Sequence, residues 1–486
     1  MKPSLISELL LYRYRYAVGY ILFAFFLAVI MFVDINRAPN GISGSEMASV
    51  VASNSINITA LQPLDVVNLP YHLLQKASIE SLGLSPLAIK LPSLLLIFLA
   101  SGILAATLFH WFRKGIAIIA LLFAVTSIPF ITFGRTGTPD VLYILLLLTV
   151  LLGAVMMNTK GVISIFWKFI LVSAGLLLLY MPLGIYAVLT VSIAGIFHPH
   201  VRHQIRRTQP WQLAALSVYA LVLVAPIIVA SISDPKVLEI LLGIDGLASR
   251  LSPAGISATL ITIIKSLFGF HQTTVGEMVT PFFSLPFALF VAFGLVRTIV
   301  DRHAARSYLL HIWLTVSALI LLIDSSQIAL LFVPCIMLMA IGLETFLREW
   351  YRLFPRNPYA RITALIPLSL IVAGIVTISA NRYFLSYYYL DTSSAYHPEL
   401  LAVRSVLKPH VETQLVVPEG QVSFYDILRA KNSQLSVTSP KDTTGKTAES
   451  IVLANTQMHL ESIPNQIVTS HLSNDAVLLR TYGSVE

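Results

Sequence analysis

Apolar residues run along this chain in blocks near the length a helix needs to cross a bilayer, separated by short polar breaks. The pattern predicts spans at roughly 17–33, 91–109, 116–133, 141–157, 162–179, 183–197, 211–231, 282–300, 308–323, 328–346 and 362–380. The first block is long for the core of a cleaved signal peptide and lacks a small-x-small cleavage site after it, so it reads as a retained span. Two connections are long, 34–90 and 232–281. The first contains "PLDVVNLPYHLLQKASIESLG", and the second contains "KVLEILLGI" and "ISATLITIIKSLFGF". Their helical spacing and mixed polarity predict amphipathic helices on the membrane surface. The last of them equally suits a short re-entrant segment.

From Asp391 onward the pattern changes. "HPELLAVRSVLK" and "VSFYDILRAKN" have helical spacing, while "TQLVVP", "SQLSVTS", "SIVLAN", "QIVTSH" and "AVLLRTY" read as short strands. The expectation is a transmembrane module over 1–390 and a small α/β domain over 391–486.

Composition agrees with the pattern. The chain is 56% hydrophobic and 12% charged, against about 25% charged in an ordinary soluble domain. A polytopic α-helical membrane protein with about eleven transmembrane helices follows. The net charge of +8 reports orientation more than partners, since no basic stripe interleaved with aromatics points to nucleic acid. Lys and Arg concentrate in alternate connections, for example Arg113, Lys114, Arg206, Arg207, Arg348 and Arg352. The positive-inside rule then places the N-terminus in the cytoplasm. It places 34–90, 134–140, 232–281 and the C-terminal domain outside the cell (plasma or inner) membrane. The single cysteine, Cys335, lies within an apolar block and has no partner for an intramolecular disulfide.

One stretch stands out: "SIPFITFGRTGTPDVLYILLLLTVLLG", where Arg135 and Asp140 sit in a short hinge between two spans. They join Asp34, Arg37, Glu46, Asp65, His72 and Lys90 on the same predicted face. Ionisable groups near a bilayer are costly and usually face a functional cavity. His198, His200 and His203 lie in a basic connection on the opposite face, where lipid headgroups or water account for them. "NIT" at Asn57 has the form of a glycosylation sequon, and Tyr387, Tyr388 and Tyr389 suit an aromatic belt.

Four stretches together resemble the C-type (GT-C) membrane glycosyltransferases, in the branch of the protein O-mannosyltransferases and the lipid A aminoarabinose (ArnT-like) transferase. "DINRAPNGISGSEMAS" resembles the family's first outer loop, with its acidic residue before a helix. "NLPYHLLQKASIESLGLSPLAIKLPSLL" resembles the Pro-rich segment that leads to an Arg-Leu-Pro-Ser motif. "FITFGRTGTPDVLYILLLL" resembles the second outer loop, and "IALLFVPCIMLMAIGLE" a late span. The likeness covers the first 150 residues well and the rest loosely. Three departures stand out. Glu46 is a lone acid after Ser45, Lys90 replaces the motif arginine, and Asp324 and Gln327 stand where a late Arg-Tyr pair is usual.

The resemblance implies an inverting transfer of a hexose or pentose from a polyprenyl-phosphate donor to an extracytoplasmic lipid, glycan or protein acceptor. It implies a carboxylate base, Glu46 with Asp34 as alternate. It also implies cations on the donor phosphate, with Arg135, Lys90 and Arg37 as candidates. Asp140 would orient acceptor, cation or metal, and His72 and Gln327 are further candidates. Some relatives use a divalent ion and some do not; Glu46 and Asp140 would be its ligands here. Two other readings stay open: a transporter or flippase of a lipid-linked substrate, and a catalytically silent scaffold.

Overall fold

The computed structural model describes residues 15–35, 41–157, 162–197, 208–244, 252–268, 273–275, 278–302, 304–353, 358–389, 396–407, 411–430, 432–441, 449–454, 456, 458, 460, 462–469 and 477–483. Arg37, His198, His200, His203 and the side chains of Tyr387, Tyr388 and Tyr389 lie outside this description.

The chain begins with α1 (Arg15–Phe32), followed by the first long loop with β1 (Ile42–Ser43), α2 (Gly44–Ser55), a 3-10 turn (Pro63–Val66) and α3 (Leu69–Leu82). Then come α4 (Pro86–Trp111), α5 (Lys114–Thr126), α6 (Ile128–Arg135), α7 (Val141–Met156), α8 (Val162–Leu178), α9 (Gly184–Phe197) and α10 (Pro210–Ser233). The second long loop carries α11 (Pro235–Leu242), α12 (Pro253–Phe268), β2 (Thr273–Val275) and β3 (Met278–Thr280). The membrane region ends with α13 (Leu285–Val300), α14 (Ala305–Ile323), a 3-10 turn (Ser325–Leu331), α15 (Phe332–Leu353) and α16 (Pro358–Tyr389).

Every predicted span falls on a helix. α4, α10, α14, α15 and α16 contain stretches long and apolar enough to cross a membrane alone. α5 and α6 form a sixth crossing, broken by a 55° bend. The break has a local cause. Ser127 is extended and Pro129 follows at the start of α6, where its missing N–H and ring forbid continuation of α5. α1, α7, α8, α9, α12 and α13 include shorter apolar helices. Together they make this a multi-pass membrane protein. α7 and the first half of α15 are buried on nearly every side, as at Val141–Leu148 and Phe332–Leu343, so they form the centre of the bundle. α10 is peripheral, with only Gln212, Ile227 and Ala230 buried.

The C-terminal part holds β4 (Tyr396–His397), α17 (Glu399–Val406), β5 (Thr413–Val416), α18 (Val422–Tyr425), β6 (Leu435–Thr438), β7 (Ser450–Ala454), β8 (Gln466–Thr469) and β9 (Val477–Gly483). Five strands form one mixed sheet in the order β6-β5-β7-β9-β8. β5 runs parallel to β6 and β7, and β9 runs antiparallel to β7 and β8.

This domain does not stand apart from the first loop. One apolar core joins Ile42, Met47, Val50 and Ile79 of the loop to Leu400, Val403, Phe424 and Tyr425 of the C-terminal domain. The amphipathic pattern over 63–83, which holds α3, predicts a helix on the membrane surface. Much of its apolar face is instead covered by protein, which a local period cannot reveal. The turn after α8 is tied in as well, since the Asn68 N–H donates to the Tyr180 carbonyl at 2.8 Å.

Candidate functional site

Glu46 sits in the first turn of α2 and is fully buried. The local sequence Ser43-x-x-Glu46 is a capping box. The Glu46 N–H donates to Ser43 Oγ at 3.2 Å, and the Ser43 N–H donates to Glu46 Oε2 at 2.9 Å. The other carboxylate oxygen reaches out of its own loop. The Gly137 N–H, in the hinge between α6 and α7, donates to Oε1 at 2.6 Å. Glu46 therefore joins the two connections that the sequence singled out.

Gly137 lies tight against the start of α4. A β-carbon there would lie 2.6 Å from Ile89 Cγ2 and 2.8 Å from the Ile89 carbonyl oxygen. Its own carbonyl accepts from Gln75 Nε2 at 2.9 Å. Gln75 Nε2 also donates to the Ile89 carbonyl, while its Oε1 accepts from the hydroxyls of Ser49 and Ser53 at 2.8 and 2.6 Å. Ser53 Oγ lies 2.9 Å from His72 Nδ1. Burial pushes the His72 imidazole down to about 4, partly offset by Asp65, so the ring is neutral at pH 7. This buried network sets α2, α3 and the hinge in one geometry.

Two cations share the buried region. Lys90, in the first turns of α4, is fully buried and donates from Nζ to the Gly41 carbonyl at 3.1 Å. It lies within electrostatic reach of both Glu46 and Arg135. Arg135 is also fully buried, and its Nη1 donates to the carbonyls of Ile30, Met31 and Val33 at 2.8, 3.1 and 2.7 Å. These are the end groups of α1, which have no partner inside the helix and carry its negative dipole end. The guanidinium carbon also lies over the rings of Phe384 and Tyr383, 5.1 and 5.6 Å from their centroids. Arg135 thus docks α1 onto α6 and α16.

Asp140 is half-buried at the start of α7, and its Oδ2 accepts from Thr138 Oγ1 at 3.1 Å. Tyr71, buried in α3, lies within electrostatic reach of Glu46 and Asp140. Its hydroxyl is 2.8 Å from Ser93 Oγ, and burial holds its phenol above the ordinary range. Tyr143 lies within electrostatic reach of Asp140 and Asp324 and donates to the Pro182 carbonyl. Gln327 is half-buried in the 3-10 turn after α14. Asp34 is exposed past the end of α1, outside the buried cluster.

The structure therefore gathers Glu46, Lys90, Arg135 and His72 within one buried region, with Asp140 at its edge. Ser43, Gln75, Ser49, Ser53, Gly137 and Tyr71 went unnoticed in the sequence. The Ser43-x-x-Glu46 spacing and the Ser49/Ser53 pair, one helical turn apart, were legible signals. Among the described residues no three His, Cys, Asp or Glu side chains gather as metal ligands.

Between α7, α8, α9 and α14 lies a cavity of about 1180 Å³, walled by apolar side chains such as Leu147, Leu171, Val188 and Trp313. It extends from His110 and Arg306 at one end to Ile320 and Leu330, which flank Asp324 and Gln327.

No protein-family model matches the chain, and no curated protein matches it. Solved structures do, among them two of one protein. One is ArnT from Cupriavidus metallidurans bound to undecaprenyl phosphate, with a TM-score of 0.50 at 13% identity, covering 96% of this chain and 98% of that one. The other is the same protein in the apo state, with a TM-score of 0.53 at the same identity and coverage. The chain has an ArnT-like GT-C fold over almost its whole length.

Proposed function

We infer that this protein is a membrane glycosyltransferase that takes a sugar from a polyprenyl-phosphate donor and gives it to an acceptor on the outer side of the membrane. The shared fold supports the donor class, since one of the matching ArnT structures is bound to undecaprenyl phosphate. The observation that carries the reading is the buried Glu46 within electrostatic reach of the buried Lys90, itself within reach of Arg135, with the carboxylate clamped by backbone from two separate connections. A scaffold has no need of one carboxylate and two cations in a place where each is costly. The Lys and Arg bias of the connections supports an outer location for this end of the bundle.

In this reading Glu46 is the general base. A carboxylate offers about four lone-pair sites, and two are taken by the Ser43 and Gly137 N–H groups. The remainder can take the proton of the acceptor nucleophile as its oxygen or nitrogen attacks the anomeric carbon. The bond from that carbon to the phosphate oxygen breaks, and polyprenyl phosphate leaves with inversion. The formal charges of Glu46, Lys90 and Arg135 sum to one positive, which suits a departing phosphate. Lys90 keeps donors beyond its bond to Gly41 and acts as a point charge. Arg135 contributes its field from behind while holding α1. Asp140, at the edge, orients the acceptor. The apolar cavity ending at Ile320 and Leu330 suits the polyprenyl chain.

The test is release of polyprenyl phosphate by purified protein in lipid, supplied with a panel of polyprenyl-phosphate pentoses and hexoses and a membrane extract as acceptor source. Release with one donor class supports the reading. Silence with every donor, from folded protein, overturns it in favour of a scaffold or transporter.

A further inference from the structure

We propose that β4, the short strand leading into the C-terminal domain, is a positioning element for Glu46, so that the C-terminal domain belongs to the catalytic apparatus. This rests on the reading of Glu46 as base given above. β4 pairs antiparallel with β1, with Ile42 opposite His397 and Ser43 opposite Tyr396. Ser43 is the residue whose N–H and hydroxyl clamp Glu46. The carboxylate thus has two anchors from different parts of the chain, Gly137 in the bundle and Ser43 on the rung shared with the C-terminal domain.

Four further observations tighten that second anchor. Gly41, just before β1, has φ +102, and a β-carbon there would lie 2.3 Å from the His397 carbonyl oxygen. Only glycine allows this approach. The Gly41 carbonyl accepts from Lys90 Nζ, so the same turn also sets the buried cation. Behind the rung, Ile42, Met47 and Val50 pack with Leu400, Val403, Phe424 and Tyr425. On the far side, the His397 ring lies 3.4 Å from Gln421 Nε2 within its own domain. Separation of β4 from β1 would release Ser43, leave Glu46 with a single external clamp at Gly137, and free the carbonyl that holds Lys90. A misplacement of about 1 Å in a reacting group is worth about a hundredfold in rate.

Two full-length variants test this. His397→Pro breaks the rung from the C-terminal side, because proline is excluded from paired strands. It is expected to lower kcat about thirtyfold or more in a protein that still folds, with a larger loss in kcat than in donor KM. Ile42→Cys/His397→Cys locks the rung, since directly opposed antiparallel residues lie within disulfide range, with Cα atoms about 5 Å apart. The oxidised lock is expected to keep kcat within about threefold of its reduced form, as a rung closed during turnover requires. Wild-type kcat in a folded His397→Pro protein overturns the proposal. So does an oxidised lock that turns over tenfold or more slower than the reduced form. Should His397→Pro fail to fold, the lock alone decides. Glu46→Gln in the same assay separates the two levels. If it retains full turnover, the assignment of the base fails; if it is inactive while His397→Pro is not, only the positioning role fails.

Discussion

Gly137→Ala is the smallest change that should disturb the site without removing a charged group. The new methyl would lie 2.6 Å from Ile89 Cγ2 and 2.8 Å from the Ile89 carbonyl oxygen. Carbon contacts settle near 3.5–4.0 Å, so the hinge or the Ile89 side chain must retreat by roughly 0.9 Å or more. Two hydrogen bonds radiate from this residue, one to Glu46 Oε1 at 2.6 Å and one from Gln75 Nε2 at 2.9 Å. A bond to a charged group contributes about 1.5–3 kcal/mol and a neutral one about 1, while overpacking costs about 1–3. Because the hinge can yield, these do not add fully, and a stability loss of about 2–4 kcal/mol is expected. The shift of the carboxylate should lower kcat about a hundredfold, with donor KM little changed. Thermal melting and donor-saturated transfer measure the two effects. A Gly137→Ala protein with wild-type Tm and wild-type kcat would refute both the tight packing and the role given to the Gly137 clamp.

Asp140→Asn should reduce transfer more than about tenfold while the protein still inserts and folds, because a half-buried loop carboxylate orients rather than supports; equal turnover would remove Asp140 from the site. Arg135→Ala should release α1 from α6 and destabilise the protein by about 3 kcal/mol or more, because three carbonyls and two aromatic faces lose their cation; limited proteolysis near 30–40 reads it. Glu399 offers a test in pH. It is buried in the first turn of α17, and burial pushes its carboxyl up to about 7 from an ordinary value of 4.5. The folded form therefore holds the proton more tightly, so the stability of the C-terminal domain should fall as pH rises from about 4.5 to about 7 and level off above, by up to about 3 kcal/mol. Glu399→Gln should flatten that slope, and melting curves at pH 5 and pH 8 compare the two proteins.

The spans were legible because an apolar helix in lipid announces itself by length and composition alone. The strands of the C-terminal domain were legible as short apolar runs between polar breaks, as in Ser450–Ala454 and Val477–Gly483. The apolar run 116–133 reads as one unbroken span, and the bend that Ser127 and Pro129 impose on it between α5 and α6 was missed. What else escaped was long-range. Nothing local tells that Tyr396–His397 will pair with Ile42–Ser43, because a two-residue strand has no period. Arg135 looked like a ligand-facing charge because its partners, the end carbonyls of α1, are backbone groups that every sequence has. Glu46 was visible as a lone acid, yet its burial depends on a domain at the other end of the chain. Gln75 and Gly137 carried no charge to attract notice, and they hold the site through amide and backbone groups.

The most direct test of the central claim is a paired measurement on Glu46→Gln: donor affinity and single-turnover transfer, in the same lipid preparation as wild type. Glutamine keeps the shape and can still accept one backbone N–H, but it cannot take a proton. The account predicts unchanged donor affinity and a transfer rate reduced by about a hundredfold to ten-thousandfold. Wild-type transfer by Glu46→Gln would contradict it and leave the buried carboxylate as a structural clamp between two loops.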